Sequence, residues 1–208
     1  VVQRPLKDIH VLCLAASSSA DIGEMALTQK TNYPCDGAVE ISIDRAPLRD
    51  VQIALRIPDW VRGKPLPTDL YHYKYSAPAP WTVSINDQPA DFEIQNGYAI
   101  IIRSWKAGDT IKLRFDMPVR VVEANPAVGE LAGQIAFERG PVVFAFEKQD
   151  QKAGDDWKGW SVSANAKSEA VYDKDLLGGT TVLRLSEGNK QMLGIPYALW
   201  CNRGPQPM

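Results

Sequence analysis

The sequence predicts an all-β protein made of two consecutive antiparallel β-sandwich or jelly-roll domains. Apolar residues recur at every second position in most segments, as where Ile111, Leu113 and Phe115 alternate with Lys112 and Arg114. This period is typical of a strand with one buried and one exposed face. The 15 Gly and 15 Pro among 208 residues suit many short strands joined by turns. No capped segment of helical periodicity runs for three turns, so little helix is expected.

Segments with this alternation recur along the chain, and turn residues separate most of them. They lie at residues 39–43, 51–57, 81–85, 97–117, 142–146 and 181–185. Many short strands at such spacing are typical of sandwiches and jelly rolls. Each segment is therefore assigned to a strand of a sandwich.

The most informative segment is 97–118, which we interpret as a β-hairpin. Its first arm is apolar on both faces, and its second arm alternates apolar with charged residues. Between the arms, Gly108 can adopt positive φ and its polar neighbours tolerate solvent. We expect Trp105 and Phe115, which flank this turn, to face the core.

Changes in composition define the predicted domain organisation. Residues 63–80 are crowded with proline and are interpreted as a loop or an insertion between strands. The strand pattern breaks at residues 125–129, so we place the first domain at residues 1–124 and the second at 125–208. The apolar run 9–14 would be dry on both faces as a strand, which predicts either a covered position or a homo-oligomer.

The charge balance disfavours several classes of partner. A formal net charge of −2, a pI near 5.7 and no cluster of Lys or Arg argue against nucleic acid. No apolar run approaches the roughly 20 residues that span a bilayer, so no membrane partner is expected. Because the chain begins with Val1 and not with Met, we interpret it as a processed or excised piece. The sequence indicates no compartment.

The residues that most often carry chemistry are scattered. Cys13, Cys35 and Cys201 stand singly, without the Cys and His spacing of a zinc site, so no metal site is predicted. The serines lack a nucleophile-elbow setting. For the carboxylates by turns or strands, solvated charge or turn hydrogen bonding is the favoured interpretation; these are Asp36, Glu93, Glu138 and Glu147. No catalytic residue is assigned.

Aromatic residues are the candidates for ligand binding. Trp157 and Trp160 lie in a polar, Gly-containing loop and are assigned to ligand contact. Tyr71, Tyr73 and Tyr75 alternate within the Pro-rich segment as a short edge strand could, and are assigned as a second candidate surface. Aromatic rings can stack on sugars, but they can equally fill the core of a sandwich.

Five motifs occur in order over most of the chain. They occupy residues 28–37, 55–60, 97–109, 136–144 and 195–204, and include Leu-Arg-Ile-Pro-Asp-Trp, Ala-Phe-Glu-Arg-Gly-Pro-Val-Val-Phe and Ile-Pro-Tyr-Ala-Leu-Trp-Cys-Asn-Arg-Gly. The whole resembles the C-terminal β-sandwich region of glycoside hydrolase family 127, the former DUF1680 group, whose founding activity is β-L-arabinofuranosidase. Cys35 departs from this pattern, because the family often shows Trp after Tyr-Pro, and residues 63–80 are longer than a simple connection.

The resemblance implies a non-catalytic accessory region. In the family, an N-terminal (α/α)6 barrel carries a cysteine nucleophile in a zinc site and a separate glutamate acid, and none of those motifs occurs in this sequence. It implies no cofactor in this segment, with zinc expected only in the barrel. The implied partners are the catalytic barrel of the parent enzyme and a plant-type carbohydrate. The alternative interpretation is a carbohydrate-binding module.

Overall fold

The computed structural model describes residues 9–12, 16–75, 77–151 and 161–203. Strands make up 51% of the described residues, and no helix of seven or more residues occurs in that part of the chain. The predicted all-β, sandwich-like class is therefore confirmed, whereas jelly-roll connectivity stays a prediction. Contacts divide the chain into unit 1, Val1–Gly63 with Ala77–Met117, and unit 2, Lys64–Ser76 with Pro118–Met208.

The strands are short, and most are bounded by turns. In chain order the described strands are β1 (Ile9–Leu12), β2 (Ser18–Ile22), β3 (Met25–Thr31), β4 (Ala38–Arg45), β5 (Asp50–Arg56), β6 (Tyr71–Tyr73), β7 (Trp81–Ile85), β8 (Gln88–Pro89), β9 (Glu93–Gln95), β10 (Tyr98–Ser104), β11 (Thr110–Phe115), β12 (Val119–Ala124), β13 (Ile135–Arg139), β14 (Val142–Ala145), β15 (Lys167–Asp173), β16 (Thr180–Glu187) and β17 (Lys190–Pro196). Short 3₁₀ helices lie at Gly129–Leu131, Lys148–Asp150 and Tyr197–Leu199.

Unit 1 contains two sheets. The four-stranded sheet has the order β1-β5-β10-β9, and the six-stranded sheet has the order β2-β3-β4-β11-β7-β8. Alternate positions of both sheets are buried, including Ile41 and Leu113 from the larger sheet and Ile53 and Ile101 from the smaller. β1 ends the four-stranded order and pairs with β5 in parallel, whereas the other described pairs are antiparallel. The antiparallel prediction is therefore wrong for this one pair.

Segment 97–118 contains two strands, but they do not form a hairpin. β10 pairs with β5 and β9, whereas β11 pairs with β4 and β7, so the connection crosses between the two sheets of unit 1. The Trp105 indole N–H donates to the Val51 carbonyl on β5 at 3.0 Å. Three residues after Trp105, the Gly108 N–H donates to the Ile43 carbonyl on β4 at 2.8 Å. Because each end of the turn bonds to a different sheet, the arms separate.

The predicted core positions of this segment are confirmed. Trp105 and Phe115 are each 3% exposed. The Phe115 and Trp60 rings form a T-shaped pair at a centroid distance of 5.7 Å, and the Trp60 indole N–H donates to the Tyr33 hydroxyl at 2.9 Å. The alternation therefore predicted which side chains face inward, although it did not predict the strand partners.

Unit 2 is built on one bent sheet of seven strands in the order β15-β16-β17-β14-β13-β12-β6. β15 and β12 are five positions apart in this order, about 24 Å in a flat sheet at the usual strand spacing. They nevertheless lie in contact, so the two halves of the sheet enclose one core. That core consists of Val121, Phe137, Phe144, Leu183 and Leu185.

The division of the chain differs from the predicted boundary between residues 124 and 125. β12 belongs to unit 2, and so does the segment 64–76, which carries β6. β6 pairs antiparallel with β12 at the end of the strand order, as the edge-strand interpretation of the tyrosine segment predicts. Unit 2 therefore draws one strand from the middle of the sequence that otherwise forms unit 1.

Candidate functional site

The predicted tyrosine surface is divided by the structure. Tyr73 is 2% exposed, and its burial removes it from any surface on which a sugar could stack. Tyr71 and Tyr75 are exposed, and their assignment to ligand contact stays a prediction. Trp157 and Trp160 lie outside the described residues.

Tyr73 takes part in a buried polar cluster. Its hydroxyl donates to the Glu138 carboxylate at 2.6 Å, and the Arg120 guanidinium lies over its ring at 4.6 Å from the centroid. Arg120 and Glu138 are directly opposite each other on β12 and β13. Burial raises the pKa of Glu138 to about 7, against the opposing effects of the Tyr73 hydrogen bond and the Arg120 charge. Burial also raises the pKa of Tyr73 above its ordinary value.

The interpretation of Glu138 as a solvated or turn carboxylate is therefore wrong. Glu138 is 6% exposed, and its partner Tyr73 lies 65 positions away in the chain. Hydrogen bonds between positions this distant leave no local signal in a sequence. The cluster joins the edge strand β6 to β13 across β12. This connection fixes the position of the side chains on the other face of β6.

The other side of β6 lines a cavity. Successive side chains of a strand point to opposite faces, so His72 and Lys74 point away from Tyr73. Together with Glu123 they form one wall of a cavity of about 570 Å³. This volume lies within the roughly 300–1,000 Å³ of small-molecule sites. The sequence did not predict this wall. The pattern that could have indicated it is the alternation of His72 and Lys74 with the three tyrosines.

Glu123 connects the polar groups of this wall. Its carboxylate lies 2.8 Å from the Lys74 ammonium and 3.6 Å from His72 Nε2. The hydrogen bond from Lys74 to Glu123 raises the pKa of Lys74. The side chains of Lys74 and Glu123 are about one-third exposed and that of His72 about half, so all three can be reached from solvent.

The remaining walls combine a shaped loop with apolar side chains. Asn125 fixes the loop that follows β12, because its amide oxygen accepts from the Ala127 N–H at 3.0 Å and its amide nitrogen donates to the Asp69 carbonyl at 3.0 Å. The apolar lining comes from this loop, from β13 and from the segment before β15. It includes Val128, Leu131, Ile135, Val162 and Ala164.

A second buried carboxylate anchors the C-terminal motif. The Glu147 side chain is fully buried, and it accepts hydrogen bonds from the Cys201 N–H at 2.6 Å and from Arg203. Although burial opposes ionisation, these bonds and one from Gln149 lower the pKa of Glu147. Arg203 also binds Asp150 through two nitrogens. The solvated interpretation of Glu147 is therefore wrong, because its carboxylate is buried and holds Cys201 and Arg203 in place.

Ranges 16–75, 77–151 and 161–203 contain no group of three or more His, Cys, Asp or Glu side chains placed to hold a metal ion. Within the same part of the chain, no helix has the length and apolar character needed to cross a bilayer. Cys35 and Cys201 are exposed, and Cys13 lies outside the described residues.

Family models match both units. The model described as "Beta-L-arabinofuranosidase, GH127 middle domain" matches residues 9–117, and that described as "Glycoside hydrolase family 127 C-terminal domain" matches 119–208. The chain belongs to glycoside hydrolase family 127. The two models meet where unit 1 ends, but segment 64–76 lies in the range of the middle domain and packs with unit 2. The resemblance predicted from five motifs is thus confirmed.

Longer proteins of this family resemble the chain over most of its length. It is 32% identical over 168 residues to a non-reducing end β-L-arabinofuranosidase from Bifidobacterium longum, covering 77% of this chain and 23% of that protein. A solved GH127 β-arabinofuranosidase matches with a TM-score of 0.82 and 31% identity, covering 95% of this chain and 33% of the other. A GH127 β-L-arabinofuranosidase from Geobacillus stearothermophilus matches with a TM-score of 0.76 and 30% identity, covering 96% and 32%. The chain therefore spans about a quarter to a third of these relatives.

Proposed function

We propose that this family 127 chain is the non-catalytic β region of a longer glycoside hydrolase that acts on arabinofuranoside-type bonds. In this proposal it supports the catalytic barrel, which would carry the zinc-dependent chemistry. The observation that carries the proposal is the match of the chain to the middle and C-terminal domains of the family, over about one-third of each solved relative. The substrate class is that of those relatives, which are β-arabinofuranosidases.

The arrangement of carboxylates in unit 2 supports this role. Glu138 is buried against Tyr73, and Glu147 is buried against Arg203, so both carboxylates hold structure together. Among the described residues that line the cavity beside β6, Glu123 is the one carboxylate. Glycoside hydrolysis commonly uses a pair of them. The favoured function of this region is therefore support of a separate active site.

An activity assay tests the proposal. We expect the 208-residue chain to show no hydrolysis of an arabinofuranoside, with or without added zinc. Removal of the corresponding region from the Bifidobacterium relative should lower the thermal stability of that enzyme, because its barrel would lose its support. If the isolated chain hydrolyses the substrate and the Glu123→Gln variant does not, the accessory role is wrong and the chain is a self-contained hydrolase.

Self-association is a second proposal about partners. β1 ends the order of the four-stranded sheet, so one of its sides is without a strand neighbour in the described part of the chain. An open strand edge offers backbone groups to another chain. Light scattering over a concentration series should show oligomers. A monomer at every concentration, with Leu12→Lys leaving solubility and stability unchanged, would show that the segment is neither an interface nor core.

A further inference from the structure

We propose that the cavity lined by His72, Lys74 and Glu123 binds a neutral saccharide of one or two sugar rings. This site differs from the predicted tyrosine surface, because it uses the opposite face of β6. It also stands apart from the accessory function, since it concerns only groups within unit 2. The proposal rests on the charge of the polar wall, its hydrogen-bonding groups, the apolar lining and the rigidity of the surrounding elements.

The charge of the wall favours an uncharged ligand. Glu123 and Lys74 form an ion pair at 2.8 Å, so the anion and the cation already compensate each other. A ligand with a net charge would have to compete with that pair for its own counterion. A neutral ligand can bind to both groups without separating them.

The polar groups match hydroxyls, which both donate and accept hydrogen bonds. The Glu123 carboxylate is an acceptor with two oxygens, and the Lys74 ammonium is a donor with three protons. The Ser163 hydroxyl, on the other side of the cavity, can do both. Hydrogen bonds that involve a charged group are stronger than those between neutral groups. Adjacent hydroxyls of a sugar would satisfy these groups together.

The apolar lining suits the C–H face of a sugar ring. Val128, Leu131 and Val162 line the cavity together with the polar wall. Binding sites for small molecules commonly combine such apolar surface with a few placed polar groups. A fully polar solute, such as an inorganic ion, would gain nothing from this lining.

Both sides of the cavity are held before any ligand arrives. On one side, the bond from Tyr73 to Glu138 fixes β6. On the other side, the Tyr75 hydroxyl donates to the Asn165 side chain at 2.6 Å, and the Asn165 N–H donates to Ser163 Oγ at 3.2 Å. This chain of bonds joins the end of β6 to the segment that faces it across the cavity. A site fixed in this way loses less conformational freedom on binding.

The test is a titration of the 208-residue chain with L-arabinose, D-xylose, D-glucose and cellobiose, followed by amide chemical-shift changes and calorimetry. We expect saturable binding in the millimolar range, with shifts at cavity residues such as Ser163 and Gly133. Ala132→Trp, an exposed lining residue, should block the cavity and abolish binding. Ala127→Trp, an exposed residue of the same loop outside the lining, is its matched control and should bind as the parent does.

A second pair of variants tests the polar wall. Glu123→Gln keeps the shape of the side chain but removes its charge, so affinity should fall about tenfold. Glu130→Gln, in the adjoining loop and outside the lining, should leave affinity unchanged. Absence of saturable binding by all four sugars, or equal binding by the parent and Ala132→Trp, overturns the proposal. Binding of inorganic phosphate in place of sugars also overturns it, since that result identifies an anion site. These readouts involve no hydrolysis, so the accessory function is tested separately.

Discussion

Unit 1 and unit 2 are both formed from strands, but they are stabilised by different interactions. In unit 1 the core is a large set of aliphatic side chains that are almost completely buried. Its largest fully buried members are Met25, Val39, Ile41, Ile43, Ile53, Leu55, Ile57, Ile111 and Leu113. In the described part of unit 2 the fully buried aliphatic residues are fewer, and they are Val182, Leu183, Leu185 and Ile195. Unit 2 also buries two carboxylates, those of Glu138 and Glu147, whereas the described part of unit 1 buries one, that of Asp109.

This difference predicts how the stability of each unit should respond to mutation and to pH. Burial of an apolar side chain contributes about 1.5–3 kcal/mol, and that contribution does not depend on pH. A buried carboxylate stabilises the fold only in the protonation state that its surroundings favour. Unit 1 should therefore be most sensitive to truncation of its core, and unit 2 to changes in charge and pH.

The largest effect should come from a core truncation in unit 1. Phe115→Ala and Trp105→Ala should each cost about 3 to 5 kcal/mol, the usual range for a buried aromatic residue. Urea unfolding measures the loss, and hydrogen exchange over β11 assigns it to unit 1. Ile102→Ala is the control, because Ile102 is 51% exposed and its truncation should cost little. A loss under about 1 kcal/mol for Phe115→Ala would show that the core has been misassigned.

The next effect concerns the ionic anchor of unit 2. Arg203→Met keeps much of the length of the side chain but leaves the buried Glu147 and Asp150 carboxylates without their cation, which should cost about 3 kcal/mol. Hydrogen exchange should rise around Leu193, whose N–H is held by Gln151 next to this cluster. Arg184→Met, at an exposed position, should stay within about 0.5 kcal/mol of the parent. Equal effects of the two substitutions would contradict the comparison of the units.

The pH response should distinguish the units further. Because burial raises the pKa of Glu138 from 4.5 to about 7, the folded chain keeps a proton that the unfolded chain releases between these values. The stability from this group is complete below about pH 4.5 and is lost as pH rises through about 7. Glu138→Gln mimics the protonated form, so relative to the parent it should gain about 2 to 3 kcal/mol between pH 5 and 8.

Unfolding free energies measured over this range check the prediction. Tyr73 and Arg120 face Glu138 and favour its charged form, but their effect is smaller than that of burial. If the difference between Glu138→Gln and the parent does not change with pH, Glu138 is already ionised in the folded chain.

The smallest effect should come from surface charge. Lys112 and Asp87 form an ion pair at 2.6 Å on unit 1, but both side chains are largely exposed. Lys112→Ala should therefore change stability by less than about 1 kcal/mol, and added salt should reduce the change. A loss as large as that of Arg203→Met would mean that exposed ion pairs, too, stabilise unit 1.

The sequence predicted which face of a strand is buried better than it predicted which strands pair with each other. Ile111, Leu113 and Phe115 are buried as their alternation requires, because the period of a strand is a local property. The hairpin prediction failed because the partner of a strand depends on distant contacts, such as the bond from Gly108 to Ile43. Family membership was predictable, since five motifs preserve their order over most of the chain.

The candidate site was less predictable than the fold. The alternation of Tyr71 and Tyr73 correctly indicated a short strand, but it could not show that Tyr73 meets Glu138. The cavity requires β6 to lie beside β12, whose residues follow about 50 positions later in the chain. Such a pairing has no local pattern, and loop closure over this length is determined by the whole fold.

The interleaved order of the two units restricts how this region can be exchanged by recombination. A crossover at residues 117 and 118 follows the boundary of the family models, but it would transfer unit 2 without β6. The recipient protein would then have β12 as an open edge and Glu138 without its Tyr73 donor. Units 1 and 2 must therefore be inherited together, or segment 64–76 must be moved as well, for unit 2 to keep its edge strand in a new gene.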